Sequence, residues 1–371
     1  MTDTSSFEIF CATAPGLEPL LAAEISALGF PEPKVERGGV SFEGRWLDVW
    51  RANLELRGAS RVLARIGAFH VNHLAQLDKL SRRFDWGRVL RKDMAVSVEV
   101  TSRKSKIYHA GAARQRIETA LRESFGVALA EEAPVSVRAR IENNLCTLSV
   151  DTSGALLHRR GFKAAVNKAP MRENLAALFL RACEYTGQES LLDPMCGSGT
   201  FVIEAAEMAA GLQPGRARDF AFEHLASFDR KAFGALRKPA VIPEGLPVFL
   251  GSDRDAGAIE MSRANAERAG LATLTRFEQT PIDRLARPEC EPGLVIINPP
   301  YGGRIGNKKA LYGVYDMIGQ SLRTRFAGWR VGVVTSDAAL AKATRLPFKA
   351  PGPIVDHGGI KVRLYQTDAL R

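Results

Sequence analysis

Cysteine is scarce in this chain of 371 residues: Cys11, Cys146, Cys183, Cys196 and Cys290 are its only five, and they lie far apart. That spacing excludes a zinc ribbon or a disulfide framework and points to a reducing, cytoplasmic setting without a bound metal. No uninterrupted apolar run approaches the roughly 20 residues of a membrane span, so no membrane segment is expected. No internal repeat or low-complexity tract is present. Basic residues are absent before Lys34, while Leu17, Leu20, Leu21, Ile25 and Leu28 recur at helical spacing ahead of Gly29. That pattern predicts a domain helix rather than a signal peptide. The length exceeds one ordinary core and suggests two or three domains, and a composition of 46% hydrophobic and 25% charged residues is that of a globular protein.

Acidic residues are missing from particular stretches. The net charge is +10, which fits either a polyanionic partner or a solvated basic surface. Its distribution favours the partner. Residues 100–117 hold Arg103, Lys104, Lys106, Arg114 and Arg116 with no acid, and residues 152–172 hold Arg159, Arg160, Lys163, Lys168 and Arg172, again with none. A third window carries Arg304, Lys308 and Lys309 before Asp316. With Tyr108, Phe162 and Tyr301 close by, these windows fit phosphate contacts with occasional base stacking.

From about residue 185, apolar strands alternate with helices. "SLLDP" (190–194) precedes a helix closed by Gly211, "VFLGSD" (248–253) precedes a helix closed by Gly270, and "LVIIN" (294–298) and "RVGVVTSD" (330–337) follow. Continuous apolar strands between helices predict a mostly parallel sheet covered on both faces, an α/β domain. "IVDHGGIKVRLYQTD" predicts a closing antiparallel hairpin around Gly358-Gly359, and residues 212–247 read as an insertion. Before residue 155 the pattern is α+β: strands at 94–100 and 145–150, and helices near 16–28, 44–57 and 110–125.

The first strand-to-helix turn of the α/β part is "LLDPMCGSGTFVIEAA". Gly197 and Gly199 allow close backbone approach to a ligand at a helix N-terminus. Asp193 would repel a pyrophosphate and attract a cation, and Asp253 at the end of the next strand can accept from two ribose hydroxyls. S-adenosylmethionine, with a sulfonium, an ammonium and no phosphate, suits that pair. "NPPY" at 298–301 ends a later strand of the same sheet. Asn298 Oδ1 and the Pro299 carbonyl can each accept one hydrogen of an exocyclic base amine, while Pro299 and Pro300 fix the carbonyl direction and remove competing donors. Tyr301 offers a ring face for a flipped base. Cys196 sits in the glycine loop and is read as a small loop residue rather than a nucleophile.

"DPMCGSGT", "NPPYGGR" and "NKAPMRENLAA" (167–177) together resemble the THUMP-domain RNA methyltransferases that modify the N2 amine of guanine, in particular the guanine-N2 half of the bifunctional bacterial large-subunit rRNA methyltransferase and its stand-alone relatives. "FCATAPGLEPLLAAEISALGF" is similar to that family's ferredoxin-like segment and "VTSRKSKIYHAGAARQRI" to its THUMP core. The resemblance implies four segments: a ferredoxin-like one over 1–60, THUMP over 61–155, a linker and cofactor-covering helix over 156–185, and a Rossmann-like class I methyltransferase domain over 186–371. It implies that Asp193, Pro194, Met195, Cys196, Gly197, Ser198, Gly199 and Thr200 hold the methionine side of S-adenosylmethionine, with Asp253 and Arg254 at the ribose and Met171 in a covering segment over 167–173. Asn298, Pro299, Pro300 and Tyr301 take the catalytic role. Relatives carry an acid after the third strand for the adenine amine. "FEQTPIDRL" has Pro281 there, leaving Gln279, Thr280 or Asp283 as substitutes. RNA contacts are expected from Arg103, Lys104, Lys106, Arg114, Arg159, Arg160, Lys163 and Arg304. The expected activity is guanine-N2 methylation of RNA, 23S rRNA ahead of tRNA. Adenine-N6 methylation of DNA and a non-enzymatic RNA-binding role are the alternatives.

Overall fold

The computed structural model describes residues 6–164, 171–301 and 308–371, with only the backbone of Lys308. The chain divides into two compact units: Met1–Thr13, Ala22–Leu157 and Arg218–Lys238 form unit 1, and Ala14–Leu21, His158–Ala217 and Pro239–Arg371 form unit 2.

Unit 1 is built on one seven-stranded sheet of β1 (Phe7–Ala12), β2 (Lys34–Glu36), β3 (Gly39–Gly44), β4 (Arg61–His70), β5 (Val96–Arg103), β6 (Val135–Glu142) and β7 (Leu145–Asp151), in the order β2-β3-β1-β4-β7-β6-β5. The strands expected separately for residues 1–60 and 61–155 therefore share a single ladder, joined where β4 pairs with both β1 and β7. Helices α2 (Trp46–Glu55), α3 (Leu74–Arg83) and α4 (Ala110–Ala120) are interleaved, and α1 (Glu18–Ala27) straddles the division, grouping with unit 2 up to Leu21 and with unit 1 from Ala22.

Part of the expected insertion belongs here too. Residues 218–238, inside the range read as methyltransferase domain, group with unit 1. The cause is aromatic: Trp50 on α2 is fully buried, and Phe222, Phe228 and Phe233 stand around it with ring centroids 6.1, 5.7 and 6.5 Å away. Burying such rings is among the larger apolar contributions available to a core.

Besides the start of α1, unit 2 holds α5 (Glu173–Ala182), β8 (Leu191–Asp193) and α6 (Thr200–Ala209); α7 (Arg230–Leu236) then lies in unit 1. Unit 2 continues with β9 (Phe249–Asp253), α8 (Ala256–Arg268), β10 (Thr275–Gln279), β11 (Leu294–Ile297), α9 (Lys308–Arg325), β12 (Arg330–Thr335), α10 (Ala338–Ala343), β13 (Val355–His357) and β14 (Ile360–Gln366). Its sheet runs β10-β9-β8-β11-β12-β14-β13. The first five strands are parallel and the closing hairpin is antiparallel. Strand order proceeds outward from β8 in one direction and then jumps to β11 on its other side. Such a reversal opens a crevice at the carboxyl ends of the strands, where ligands of open α/β sheets bind.

Candidate active site

Register brings the motif residues together. Asp193 pairs with Gly251 across β8 and β9, so Asp193 and Asp253 both end at the same sheet edge. β11 flanks β8 on the other side through Leu294↔Leu191 and Val295↔Leu192, and Asn298 follows its last residue.

The two carboxylates differ in setting. Asp193 is buried, and its Oδ1 accepts the Met195 N–H at 3.1 Å. Burial, with Asp253 nearby adding its own negative charge, pushes the Asp193 carboxyl up to about 8. A buried acid with no cation beside it among the described residues is a group that a cationic ligand complements. Asp253 is half-buried and knits the loops, taking the Gly197 N–H at 3.1 Å and the Asp255 N–H at 3.0 Å.

The glycine loop is held from behind. Gly197 and Gly199 have φ of +56° and +79°, which side-chain-bearing residues rarely adopt, and Gly199 caps α6. A Cβ on Gly199 would stand 3.2 Å from the Phe277 ring and from Ser262 Cβ. Ser262 donates to the Gly197 carbonyl at 3.0 Å, and Asn265 Nδ2 to the Ser198 carbonyl at 3.0 Å. Sequence reading missed these two α8 residues. Their signal was two polar residues three apart on a face with Ala258, Ile259 and Ala266, and all five are buried. Cys196 is buried with Sγ 3.7 Å from Ser262 Oγ, and burial pushes its thiol up, which suits a loop residue and not a thiolate nucleophile.

A cavity of about 380 Å³ opens at this edge. Pro194, Met195, Asp253, Arg254, Asn298 and Pro300 line it, together with Pro281, Ile282, Asp283 and, from α9, Val314 and Met317. Of the residues considered for an adenine contact, Asp283 lines this cavity and Gln279 is not among its lining residues. Gln279 is exposed, and its Nε2 points to the Arg254 carbonyl at 3.3 Å. Asn298 Oδ1 is buried and has no hydrogen-bond partner among the described residues. A buried acceptor left open costs about 1–3 kcal/mol, an arrangement retained where a ligand supplies the donor.

Tyr301 departs from the expected stacking platform. It is fully buried, and its hydroxyl lies 2.9 Å from His357 Nδ1. Met171 lines a separate cavity of about 530 Å³ with His158, Arg159, Arg172, Glu173 and His357.

The residues expected to meet RNA divide. Arg103 closes β5 and Lys104 and Lys106 follow it; all three are exposed, near Tyr108 in sequence, which is 86% exposed. Arg114 is exposed and pairs with Glu118 at 2.6 Å. Arg159 is exposed, and Arg304 lies outside the described residues. Arg160 and Lys163 are turned inward. Arg160 is 1% exposed and meets Glu204 at 3.3 Å. Lys163 Nζ donates to the Met171 carbonyl at 2.9 Å and Thr200 Oγ1 at 2.8 Å, with Glu173 at 3.3 Å. Both serve the interior of unit 2, because Glu204, 44 residues on from Arg160, and Glu173, just past the acid-free window, fold onto them.

Another cavity, about 410 Å³, lies on the unit 1 sheet. Its Arg65, Arg138 and Arg140 are paired with Glu36, Glu99 and Glu142, so the arginines and acids that line it offset one another, unlike the buried carboxyl of Asp193.

Residues 160–350 match the RMKL-like methyltransferase domain, and residues 8–63 match the RlmL ferredoxin-like domain. The chain is 38% identical over 354 residues to a ribosomal RNA large subunit methyltransferase K/L of Syntrophotalea carbinolica, covering 90% of this chain and 50% of that protein. It is 31% identical to a putative RNA methyltransferase of Synechocystis, covering 99% of this chain and all of that one. The chain thus spans about half the length of the K/L relative and the whole of the shorter one. Among solved structures, a predicted N6-adenine-specific DNA methylase of Listeria monocytogenes superimposes with a TM-score of 0.88 at 29% identity, covering 98% of this chain and 97% of that one. A putative methyltransferase complexed with SAH superimposes with a TM-score of 0.86 at 27% identity over the full length of both. With its strand order, glycine loop and Asn-Pro-Pro-Tyr edge in place, the chain belongs to the RMKL-like methyltransferase family.

Proposed function

We propose that this protein is an S-adenosylmethionine-dependent RNA methyltransferase that modifies the exocyclic N2 amine of a guanine, in 23S rRNA in preference to tRNA. The observation that carries the reading is Asn298 Oδ1, a buried acceptor without a partner among the described residues, on the wall of a cavity that Asp253 also lines. An aryl amine is a poor nucleophile because its lone pair is delocalised into the ring. Asn298 Oδ1 and the Pro299 carbonyl, accepting one hydrogen each, draw the nitrogen towards a geometry that frees that pair. Asp193 offers a buried carboxyl that a cationic ligand end would draw into its charged form, the Gly197–Thr200 turn admits close approach, and Pro281 and Ile282 offer apolar surface to an adenine. S-adenosylmethionine, when bound, supplies an electrophilic methyl on a sulfonium. The relatives named for ribosomal RNA and for RNA support the substrate class.

The test is transfer of labelled methyl to purified 23S rRNA, tRNA and DNA, followed by nucleoside analysis. N2-methylguanosine from 23S rRNA is expected; label found only as N6-methyladenine in DNA would overturn the reading, and label in tRNA alone would move the substrate. Asn298→Ala should lower single-turnover transfer about 100-fold while leaving cofactor affinity intact. Asp193→Ala should weaken cofactor binding by about 1.5–3 kcal/mol in calorimetry.

A further inference from the structure

Tyr301 and His357 lie 56 residues apart in sequence, yet their side chains meet inside unit 2: the phenol oxygen is 2.9 Å from Nδ1, the tyrosine is fully buried and the histidine 4% exposed. The contact sits at the far end of the Asn-Pro-Pro-Tyr segment. At its near end, Ile297 is fully buried and paired with Val333 of β12. Between these two anchors stand Asn298, Pro299 and Pro300, and the pyrrolidine rings remove two of the backbone's freedoms. Fixing both ends of so short and stiff a segment fixes the direction of the Pro299 carbonyl and the seat of the Asn298 amide.

His357 is well placed to be an anchor. It is the last residue of β13, opposite Ile360, and Val355 two positions earlier is also buried while Asp356 between them is exposed, the alternation of a strand with one face inward. The hairpin is tight. Gly358 and Gly359 both have positive φ, and Asp356 Oδ1 accepts the Gly359 N–H at 3.1 Å. β13 pairs with β14, β14 with β12 and β12 with β11, so the histidine is referred back through the sheet to the strand that leads into Asn298.

We infer that His357 is a positioning residue for methyl transfer, acting through the Tyr301 hydroxyl to hold Asn298 and the Pro299 carbonyl in their accepting geometry. This rests on the proposed function only in taking those two oxygens as the acceptors of the target amine. Tyr301 thereby serves as a strut of the catalytic segment, a role distinct from a stacking surface.

The experiment pairs kinetics with a spectroscopic readout on the full chain. His357→Phe, which keeps a buried ring and removes the nitrogen, should lower the single-turnover rate about tenfold or more with cofactor and RNA affinities unchanged. Tyr301→Phe should do the same, and the double variant should be no slower than either single one, because both remove one interaction. His357→Gln, which can still meet the hydroxyl, should recover part of the rate. In NMR spectra the Asn298 side-chain amide should shift or broaden in His357→Phe and stay in place in Lys361→Ala, a change at an exposed position of the same hairpin. A wild-type rate in both His357→Phe and Tyr301→Phe, or additive losses in the double variant, would overturn the inference. If the wild-type protein transfers no methyl to RNA, the proposed function fails, and the Asn298 amide resonance decides the anchor by itself: an unmoved signal in His357→Phe refutes it. Should His357→Phe not fold, Tyr301→Phe, which leaves the ring in place, carries both measurements.

Discussion

Two basic windows look alike in sequence and end in opposite places. Residues 100–117 and 152–172 are both free of acids, yet Arg103, Lys104 and Lys106 stay exposed while Arg160 and Lys163 sink into unit 2. The difference lies in what the fold brings to each. Glu204 on α6 reaches Arg160 from 44 residues away, and Glu173 and Thr200 close on Lys163. A charge run that lacks acids along the chain need not lack them in space, and only its exposed members, here Arg103, Lys104 and Lys106 with Arg159 and Arg172 of the second window, keep the option of a polyanionic partner.

The sharpest break of the comparison is Arg160→Ala. It removes the guanidinium that meets the buried Glu204 and should cost about 3–5 kcal/mol in chemical denaturation. Replacing both partners by methionine should recover most of that loss, since a buried pair contributes little beyond an apolar pair of similar size. A loss below about 1 kcal/mol for the single variant would mean that the interior of unit 2 does not depend on this ion pair.

Lys163→Met comes next, with an expected loss of about 1–3 kcal/mol from the charged hydrogen bonds to Met171, Thr200 and Glu173. Burial already lowers the lysine's pKa and raises that of Glu173, so neither group sits easily without the other. Under the proposed function, cofactor affinity should fall as well, because Thr200 opens α6 at the glycine loop. Calorimetry on the variant separates that effect from stability.

A smaller effect concerns pH. Burial, then the positive charges of Arg172, Arg159, Arg160 and Lys163, hold His158 at about 4, below its ordinary 6.5. Between those values the unfolded chain binds the extra proton, so stability should rise with pH from 4 to 6.5 and be lost on acidification through that window. His158→Gln should flatten this part of the profile, and an unchanged slope would place the histidine in water.

The exposed window should give the smallest stability change. Replacing Arg103, Lys104 and Lys106 together with alanine should alter folding by no more than about 0.5 kcal/mol. Under the proposed function it should flatten the salt dependence of RNA binding by about two units, at roughly 0.7 per lost contact. Normal binding across a salt titration would make this run a solvated face.

Much of unit 2 was legible because its signals are local. Apolar runs gave β8, β9, β11 and β12, glycines marked the ends of α6 and α8, and the hairpin around Gly358-Gly359 announced itself. The cavity residues Pro194, Asp253, Asn298 and Pro300 came with those strand ends. What stayed hidden depends on partners remote in sequence. Nothing near Tyr301 hints at His357, nothing near Lys163 at Thr200, and nothing in residues 1–155 says that β4 joins two expected modules into one sheet. Ser262 and Asn265 fall between, since their helical spacing was readable but their duty towards the glycine loop was not.

The grouping of residues 218–238 with unit 1 bears on how the protein is made. Synthesis delivers Trp50 early, but Phe222, Phe228 and Phe233 reach it only after α5, β8 and α6 of unit 2 have also been translated. Unit 1 therefore cannot finish as an independent N-terminal folding unit, the usual order for successive domains. A nascent chain paused after Leu157 carries an indole without its ring partners, and completion waits for Lys238, by which point the start of the second sheet is already outside the ribosome.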